Sequence, residues 1–290
     1  MNYGEFSSIL NRHIFEEEKK ELLQKLADNP ERFVGLFRPT KPGAKVLQHL
    51  LQSHEIRFGD AMEEIISFLL KELGFEILDK IIIPDSANKR KALDIDQYFR
   101  DDKIYGFIEQ KVRDDHDSTK KKGQISNFEA KLEFLYKKHK NNLTGIMYFI
   151  DPDLVKNKNF YMEELKKMKG VYGIRLELFY GKELFEYFKR SKLWDDIIAW
   201  LKKWKDELHE LPEINFDSDP EGSFEQIKGL EIRYWRKILD NDKLWEEGIM
   251  KVISRDSAIL RLVLEFFRSN KDTPYKKLSE QLEQKLKRYY

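Results

Sequence analysis

The sequence predicts an α/β protein in which a mixed central β-sheet is flanked by helices, with further helices at both ends of the chain. Three observations lead to this prediction. Helical and strand-like segments alternate through the middle of the chain. Residues 91–112 have the pattern of a hairpin, and residues 144–150 form a nearly continuous apolar run that is typical of a buried strand. The ends carry helical periodicity alone, so we divide the chain into an N-terminal helical region (1–43), an α/β core (44–208) and a C-terminal helical subdomain (209–290).

Composition restricts the class of protein. Of the 290 residues, 41% are hydrophobic and 36% are charged, and no apolar run approaches the length of a membrane span. The chain has no cysteine, and its start lacks the basic and apolar regions of a signal peptide. We therefore expect a cytoplasmic protein without membrane contact. Because the formal net charge is only +1, a nucleic-acid surface would have to be a local basic patch.

The segments before the hairpin predict helices and one strand. Residues 6–37 repeat apolar side chains at spacings of three and four, which predicts packing helices, or alternatively an arm or a dimer element. Residues 44–73 predict a long helix that ends at Gly74, a typical C-terminal signal. Glu63 lies at the edge of its apolar face, which is formed by Met62, Ile65, Ile66, Leu69 and Leu70. A strand is expected over residues 75–83.

The hairpin carries the chemistry. Residues 91–111 contain two apolar runs around a polar turn, which predicts two antiparallel strands. Side chains alternate along a strand, so Asp94 and Asp96 share one face of the first strand, and Glu109 and Lys111 share one face of the second. Carboxylates and an amine on one face of an otherwise buried hairpin are unfavourable unless they bind a metal or one another. The hairpin is therefore a candidate functional site.

This arrangement, Asp-x(12)-Glu-x-Lys across a hairpin, resembles the motif of the PD-(D/E)XK nucleases, with Asp96, Glu109 and Lys111 at the motif positions. The resemblance implies a restriction-endonuclease-like fold, one or two Mg²⁺ ions held by the two carboxylates, and a lysine that positions the attacking water. Hard oxygen ligands suit Mg²⁺, which polarises phosphate and lowers the pKa of bound water. The literal Pro84–Asp85 pair lies outside the hairpin, and we interpret it as a turn or loop.

The long helix extends the resemblance. Gly59, Met62 and Glu63 match the pattern G-x-x-(apolar)-E that many enzymes of the family carry before the sheet. This match implies that Glu63 extends the metal site; the alternative is a solvated glutamate beside an apolar stripe. The spacing favours Asp96 as the main metal ligand but leaves Asp94 open as a second ligand.

The segment after the hairpin is the predicted DNA contact. Residues 112–124 are rich in turn-forming residues and predict a loop with three lysines just before a helix, with Asp117 or Ser118 as the helix cap. The lysines are placed to contact DNA phosphates, although a solvated surface is the alternative. The resemblance implies that Gln124 lies near the site. The predicted DNA-binding residues are Arg113, Lys120, Lys121, Lys122, Gln124 and Asn127.

The rest of the chain predicts further helices and two strands. Helices are expected from residue 128, around residues 163–165, from residue 181 and over residues 194–208, with strands over residues 144–150 and 174–180. Residues 211–222 contain two prolines and little periodicity, which indicates a boundary. Helical periodicity resumes at residue 224, and this C-terminal part would serve DNA recognition, dimerisation or both.

Taken together, the sequence most resembles a type II restriction endonuclease, which implies sequence-specific, Mg²⁺-dependent hydrolysis of phosphodiester bonds in double-stranded DNA. The resemblance also implies a homodimer and a cognate methyltransferase in the same host. Two alternatives remain: a Holliday-junction or DNA-repair nuclease of the same fold, and a catalytically silent DNA-binding protein.

Overall fold

A computed structural model describes residues 1–37, 39–79, 83–84 and 92–290 of the protein, with the backbone alone at residues 83–84 and 92–93. In these residues the strands are β1 (Glu76–Ile77), β2 (Ile83–Pro84), β3 (Ala92–Leu93), β4 (Gln97–Arg100), β5 (Tyr105–Lys111), β6 (Leu143–Phe149) and β7 (Arg175–Tyr180). The α-helices are α1 (Tyr3–Phe15), α2 (Glu18–Asp28), α3 (Pro42–Glu72), α4 (Ser118–His139), α5 (Lys158–Tyr172), α6 (Lys182–Tyr187), α7 (Ser191–Asp206), α8 (Pro220–Ile227), α9 (Ile232–Asp240), α10 (Asp242–Glu246), α11 (Ile249–Ile253), α12 (Ala258–Ser269) and α13 (Thr273–Tyr289). Short 3₁₀ helices cover Pro30–Arg32, Lys140–Asn142 and Phe216–Ser218.

The chain forms two compact units. The sheet unit comprises residues 1–9 and 59–207, and the helical unit comprises residues 10–58 and 208–290. The division after residue 207 lies one residue before the boundary predicted at 208. On the N-terminal side, residues 10–58 group with the C-terminal helices, whereas the sequence suggested a separate region that ends at residue 43.

The sheet unit is built on a mixed sheet, as predicted. In the described residues this sheet has five strands in the order β1-β4-β5-β6-β7. β1, β4 and β5 pair antiparallel, and β5, β6 and β7 pair parallel. β6 is buried along its whole length, which explains why its sequence is apolar without alternation. The parallel register sets Glu109 of β5 beside Met147 of β6.

Helix α4 covers the face of β5 that carries the motif residues. Phe107, Glu109 and Lys111 share that face because side chains alternate along the strand. The rings of Phe107 and Phe128 lie 5.1 Å apart, which fixes the middle of α4 above the strand. The buried apolar face of this helix consists of Ile125, Phe128, Leu132 and Leu135. A polar side chain on this buried face of α4 must therefore contact the motif residues of β5.

The first strand of the predicted hairpin is interrupted, contrary to the sequence prediction. β3 pairs with β2 in a separate two-stranded ladder, and β4 begins only at Gln97. The ladder of the main sheet ends there because the Asp96 carboxylate, rather than a backbone carbonyl, accepts the N–H of Gln110 at 2.7 Å. Pro84 ends β2, so it does not lie in the predicted turn, and Asp85 lies outside the described residues.

The long helix α3 agrees closely with its prediction. It spans Pro42–Glu72, and Gly74 follows in the left-handed region with a φ of 84°. This conformation is one that glycine adopts without steric cost and that commonly ends a helix. The predicted apolar face is almost completely buried: Met62, Ile65, Ile66, Leu69 and Leu70. None of the helices in the described parts of the chain is long and apolar enough to cross a lipid bilayer.

The helical unit has a core of its own. Apolar side chains of α2, α8, α9, α12 and α13 form this core, including Leu26, Ile227, Trp235, Phe267 and Leu282. The C-terminal residue Tyr290 closes it, since its hydroxyl donates to the carbonyls of Ser254 at 2.5 Å and Met250 at 3.0 Å. The aromatic end of the basic tail therefore packs within this unit.

The close approach of β5, β6 and β7 predicts a stability difference between two glycines. A Cβ at Gly145 of β6 would lie 2.7 Å from the Phe107 ring and 2.8 Å from Leu176. Gly145→Ala is therefore expected to lower the free energy of unfolding by about 1–3 kcal/mol through overpacking. The matched control is Gly123→Ala in α4, where no described atom would lie within 4 Å of the new Cβ. This control should raise stability by up to about 1 kcal/mol. Urea denaturation measures both, and equal effects would contradict the packing described here.

Candidate functional site

The β4–β5 hairpin brings Asp96 and Glu109 together. Gln97 pairs with Ile108 in the antiparallel ladder, so the preceding residue, Asp96, comes beside Glu109. Glu109 is only 3% exposed, whereas the Asp96 side chain is 13% exposed. Two carboxylates in so little solvent repel each other and require compensating cations.

Lys111 supplies the first of these cations. Its Nζ lies 3.2 Å from Asp96 Oδ2 and 2.8 Å from Glu109 Oε1, and it donates to the Gln110 carbonyl at 2.7 Å. Burial alone would lower the pKa of Lys111, but the charges of Glu109 and Asp96 outweigh burial and raise this pKa above its ordinary value. Lys111 is therefore a charged hydrogen-bond donor at neutral pH.

Lys131, which was not among the predicted site residues, supplies the second cation. This residue lies on the buried face of α4 and is 4% exposed. Its Nζ forms a short contact with Glu109 Oε2 and lies 3.5 Å from Asp96 Oδ1. A signal was present in the sequence, since Lys131 follows Phe128 by three residues and precedes Leu135 by four, at a core position of the helix. A lysine on an apolar helical face indicates a buried carboxylate partner.

Two further predicted ligands, Asp94 and Glu63, are not grouped with Asp96 and Glu109 as a larger metal site in the residues that the structure describes. Asp94 is exposed, two residues before Asp96, and Glu63 is half-buried on α3. The backbone of Glu63 is anchored near the hairpin, because its carbonyl accepts the side-chain amide of Gln97 at 2.6 Å. Within the described part of the chain, no three acidic, histidine or cysteine side chains are grouped as a metal site. The carboxylates that the structure brings together are those of Asp96 and Glu109.

The segment after β5 is fixed by a buried aspartate. Asp114 is fully buried, and its carboxylate accepts from the backbone N–H and the Nδ2 of Asn157, each at 2.8 Å, and from the Tyr180 hydroxyl at 2.9 Å. Burial and the bond to Asp114 raise the pKa of Tyr180, so this hydroxyl stays protonated at neutral pH. These bonds hold the start of the predicted DNA-contact segment against the loop before α5.

Gln124 faces the interior. It is 8% exposed, and its Oε1 accepts a hydrogen bond from the buried Tyr161 hydroxyl at 2.5 Å. Burial raises the pKa of Tyr161. In this conformation the side chain of Gln124 serves the packing of α4 on α5, and contact with a ligand would require the bond to Tyr161 to break.

The three lysines occupy the first turns of α4 rather than a loop before it. Asp117 caps the helix as predicted, since its carboxylate accepts the N–H groups of Thr119 at 3.0 Å and Lys120 at 2.8 Å. These bonds lower the pKa of Asp117. Lys120 and Lys122 are exposed, as is Asn127 one turn further on. The remaining two predicted contacts, Arg113 and Lys121, are partly buried. The Nζ of Lys121 lies 4.6 Å from the centre of the Phe160 ring.

Comparison with known proteins identifies a family for the chain. A family described as "Type II restriction endonuclease, HinfI" matches residues 2–81 and 70–205. The matched residues make up most of the chain and include α3, the hairpin and α4. No curated protein matches the chain significantly.

The buried position of Asp114 predicts a large difference between two adjacent aspartates. Asp114→Ala is expected to lower the free energy of unfolding by roughly 3 kcal/mol, because it leaves donors of Asn157 and Tyr180 buried without an acceptor. The control is Asp115→Ala, which truncates an exposed side chain and should change stability by less than about 0.5 kcal/mol. Urea denaturation of both variants tests this, and a small effect at Asp114 would mean that the hydrogen bonds described do not stabilise the loop.

Proposed function

The chain belongs to the HinfI family of type II restriction endonucleases, and from this premise we propose that Asp96, Glu109 and Lys111 are its catalytic residues. The enzyme is a site-specific deoxyribonuclease, so its substrate is DNA. In our proposal it hydrolyses phosphodiester bonds of double-stranded DNA with the aid of Mg²⁺ at the end of the β4–β5 hairpin. Family membership favours this function over the alternatives of a junction or repair nuclease and of a silent DNA-binding protein.

One observation carries the proposal: two nearly buried carboxylates and a charged lysine converge within hydrogen-bond distance. Lys111 Nζ contacts both Asp96 and Glu109 at 3.2 Å or less. Such a set is unfavourable for packing alone, since three apolar side chains of similar size would fill the same volume without a desolvation penalty. The combination suits the cleavage of a phosphodiester, where negative charge develops on the phosphate oxygens.

The donor set fits a divalent metal. Asp96 Oδ1 and Glu109 Oε2 already converge on a single cationic atom, the Nζ of Lys131. Oxygen atoms directed at one cation are the hard ligands that Mg²⁺ prefers. We propose that these two carboxylates hold one or two Mg²⁺ ions, with Glu63 and Asp94 as additional ligands. When bound, the metal would polarise the phosphate and lower the pKa of a water molecule.

The remaining work falls to the residues of the chain. Lys111 is kept charged by its raised pKa, so it donates hydrogen bonds and does not act as a base. Its role is to position the attacking water and to stabilise negative charge on the phosphate. Asp96 orients Lys111 through Oδ2, which also accepts the backbone N–H of Gln110. The bond from Gln110 fixes the Asp96 carboxylate, which in turn holds the ammonium group of Lys111. The Lys111 side chain remains 31% exposed.

The proposed DNA-contact residues follow β5 in the chain: Arg113, Lys120, Lys121, Lys122, Gln124 and Asn127. The exposed lysines at the start of α4 suit phosphate contacts, which position DNA without reading its sequence. We further propose a homodimer acting on a palindromic site in the cytoplasm, with a cognate methyltransferase that protects host DNA. The proposed dimer, palindromic site, location and methyltransferase are what we expect of a type II restriction endonuclease. Sedimentation analysis of the protein tests the dimer directly.

Substitution of the three catalytic residues tests the proposal. Asp96→Asn, Glu109→Gln and Lys111→Ala are each expected to reduce cleavage of plasmid DNA at least about a hundredfold, because each removes charge stabilisation that is needed in the transition state. The wild-type enzyme should give discrete fragments with Mg²⁺ and no cleavage with EDTA. Circular dichroism establishes that each variant is folded.

Asp94→Asn is the informative companion variant. If Asp96 is the main ligand, the Asp94 variant retains most of its activity, whereas complete loss would assign a metal-ligand role to Asp94 as well. Cleavage that persists in EDTA, or in the folded Lys111 variant, would contradict the proposed mechanism.

The proposed phosphate contacts predict a change in salt dependence. Replacing Lys120 and Lys122 together by alanine should reduce the slope of log binding constant against log salt concentration by about two, because roughly one counterion is released for each phosphate contact. Fluorescence anisotropy on duplex DNA in EDTA measures binding without cleavage. Lys137→Ala is the control, since this exposed lysine lies near the other end of α4 and pairs with Glu133 at 2.7 Å. An equal slope for the double variant and the control would refute the contact.

A further inference from the structure

Lys131 places its ammonium group between the two carboxylates of the candidate site. We propose that this ammonium is a built-in counter-cation for Asp96 and Glu109, which a divalent metal must displace in order to bind. Lys131 would thus hold the site together before metal arrives and would weaken metal affinity. This inference rests on the proposed function, because it assumes that the metal binds to these two carboxylates.

The contacts divide the carboxylate oxygens between the two lysines. Lys111 contacts Asp96 Oδ2 and Glu109 Oε1, whereas Lys131 contacts Asp96 Oδ1 and Glu109 Oε2. Each carboxylate therefore gives one oxygen to each ammonium group. A metal that takes one oxygen from each carboxylate would therefore compete with one of the two lysines for those oxygens.

The pattern of donors indicates which lysine is replaced. Asp96 Oδ2 is already held by the backbone N–H of Gln110, at 2.7 Å, in addition to Lys111. Asp96 Oδ1 is held by Lys131 at 3.5 Å, the longest of the contacts in the cluster. Breaking the contacts of Lys131 therefore frees one oxygen on each carboxylate and leaves the backbone bond and Lys111 in place.

Charge explains why this arrangement controls affinity. Asp96, Glu109, Lys111 and Lys131 have a combined formal charge of zero, so the cluster is compensated without metal. If Lys131 were neutral, the cluster would carry one net negative charge. Its two carboxylates would repel each other more strongly in the metal-free state and would attract a divalent cation. Because the cluster is shielded from water, the loss of one positive charge in contact with the carboxylates should raise the affinity for Mg²⁺ more than tenfold.

Metal titration of the DNA-free protein tests the inference. Lys131→Met keeps the unbranched apolar chain and removes the charge, and it should bind Mg²⁺ at least about tenfold more tightly than the wild type by isothermal titration calorimetry. Without metal the variant should melt at a lower temperature, and saturating Mg²⁺ should raise its melting temperature more than that of the wild type. The matched control on the same helix is Lys137→Met, which removes an exposed, paired lysine and should leave Mg²⁺ affinity unchanged.

Two further variants separate charge from packing. Lys131→Gln, which is neutral but still donates hydrogen bonds, should also tighten Mg²⁺ binding, and it serves if the methionine variant does not fold. Lys131→Arg, which retains the charge, should stay within about threefold of the wild-type affinity. Neutral variants that are folded but bind Mg²⁺ no more tightly than the wild type would overturn the inference. Tighter Mg²⁺ binding by Lys111→Met, without tighter binding by Lys131→Met, would overturn it as well.

Failure of the proposed function has a different signature. Asp96→Asn and Glu109→Gln should each weaken Mg²⁺ binding by the wild-type protein if these carboxylates are the ligands. If both leave binding unchanged, the metal site lies elsewhere and the proposed function fails. If both weaken binding while the neutral Lys131 variants have wild-type affinity, the metal site stands and only the role of Lys131 is refuted.

Discussion

Charge compensation between two carboxylates and two lysines is the constraint on which the site depends. Asp96 and Glu109 lie side by side because the register of the hairpin requires it, and little water reaches them. Two carboxylates in that setting repel each other and are stabilised by cations within contact distance. Lys111 comes from the same strand as Glu109, whereas Lys131 comes from the helix that packs over that strand. The position of α4 is therefore as important to the site as the hairpin itself.

The sequence predicted the features of the site that arise from local pattern. Period-two alternation set Glu109 and Lys111 on one face, and the apolar run at residues 144–150 identified the central strand that supports them. The predicted type II restriction endonuclease was confirmed at the level of the family by the match over most of the chain. Local pattern is sufficient for these features because their partners lie on the same strand or on the next one.

Features that depend on distant partners were not predicted. Helical propensity does not distinguish a lysine that points to solvent from one that points to a buried carboxylate. The spacing of Lys131 from its apolar neighbours indicates a buried position, but only the packing of α4 on β5 identifies Asp96 and Glu109 as its partners. Gln124 was expected near the site, but its side-chain oxygen accepts a hydrogen bond from Tyr161 of another helix. The interruption between β3 and β4 has the same origin, since a side chain of Asp96 replaces a backbone acceptor. In each case a tertiary contact decides between two local possibilities.

The connection from β5 through α4 to β6 means that the hairpin alone cannot carry the site. β5 and β6 are parallel, so the chain has to cross over between them, and α4 is that crossover. The contact of Lys131 with Asp96 spans 35 residues, whereas that of Lys111 spans 15. An excised hairpin would contain both carboxylates but only one of their cations, and it would lack the strand that buries them. Grafting the site onto another scaffold would therefore require the whole segment from Asp96 through the hairpin and α4 to β6. An insertion in α4 before Lys131 would separate the cluster while leaving the D…ExK motif intact.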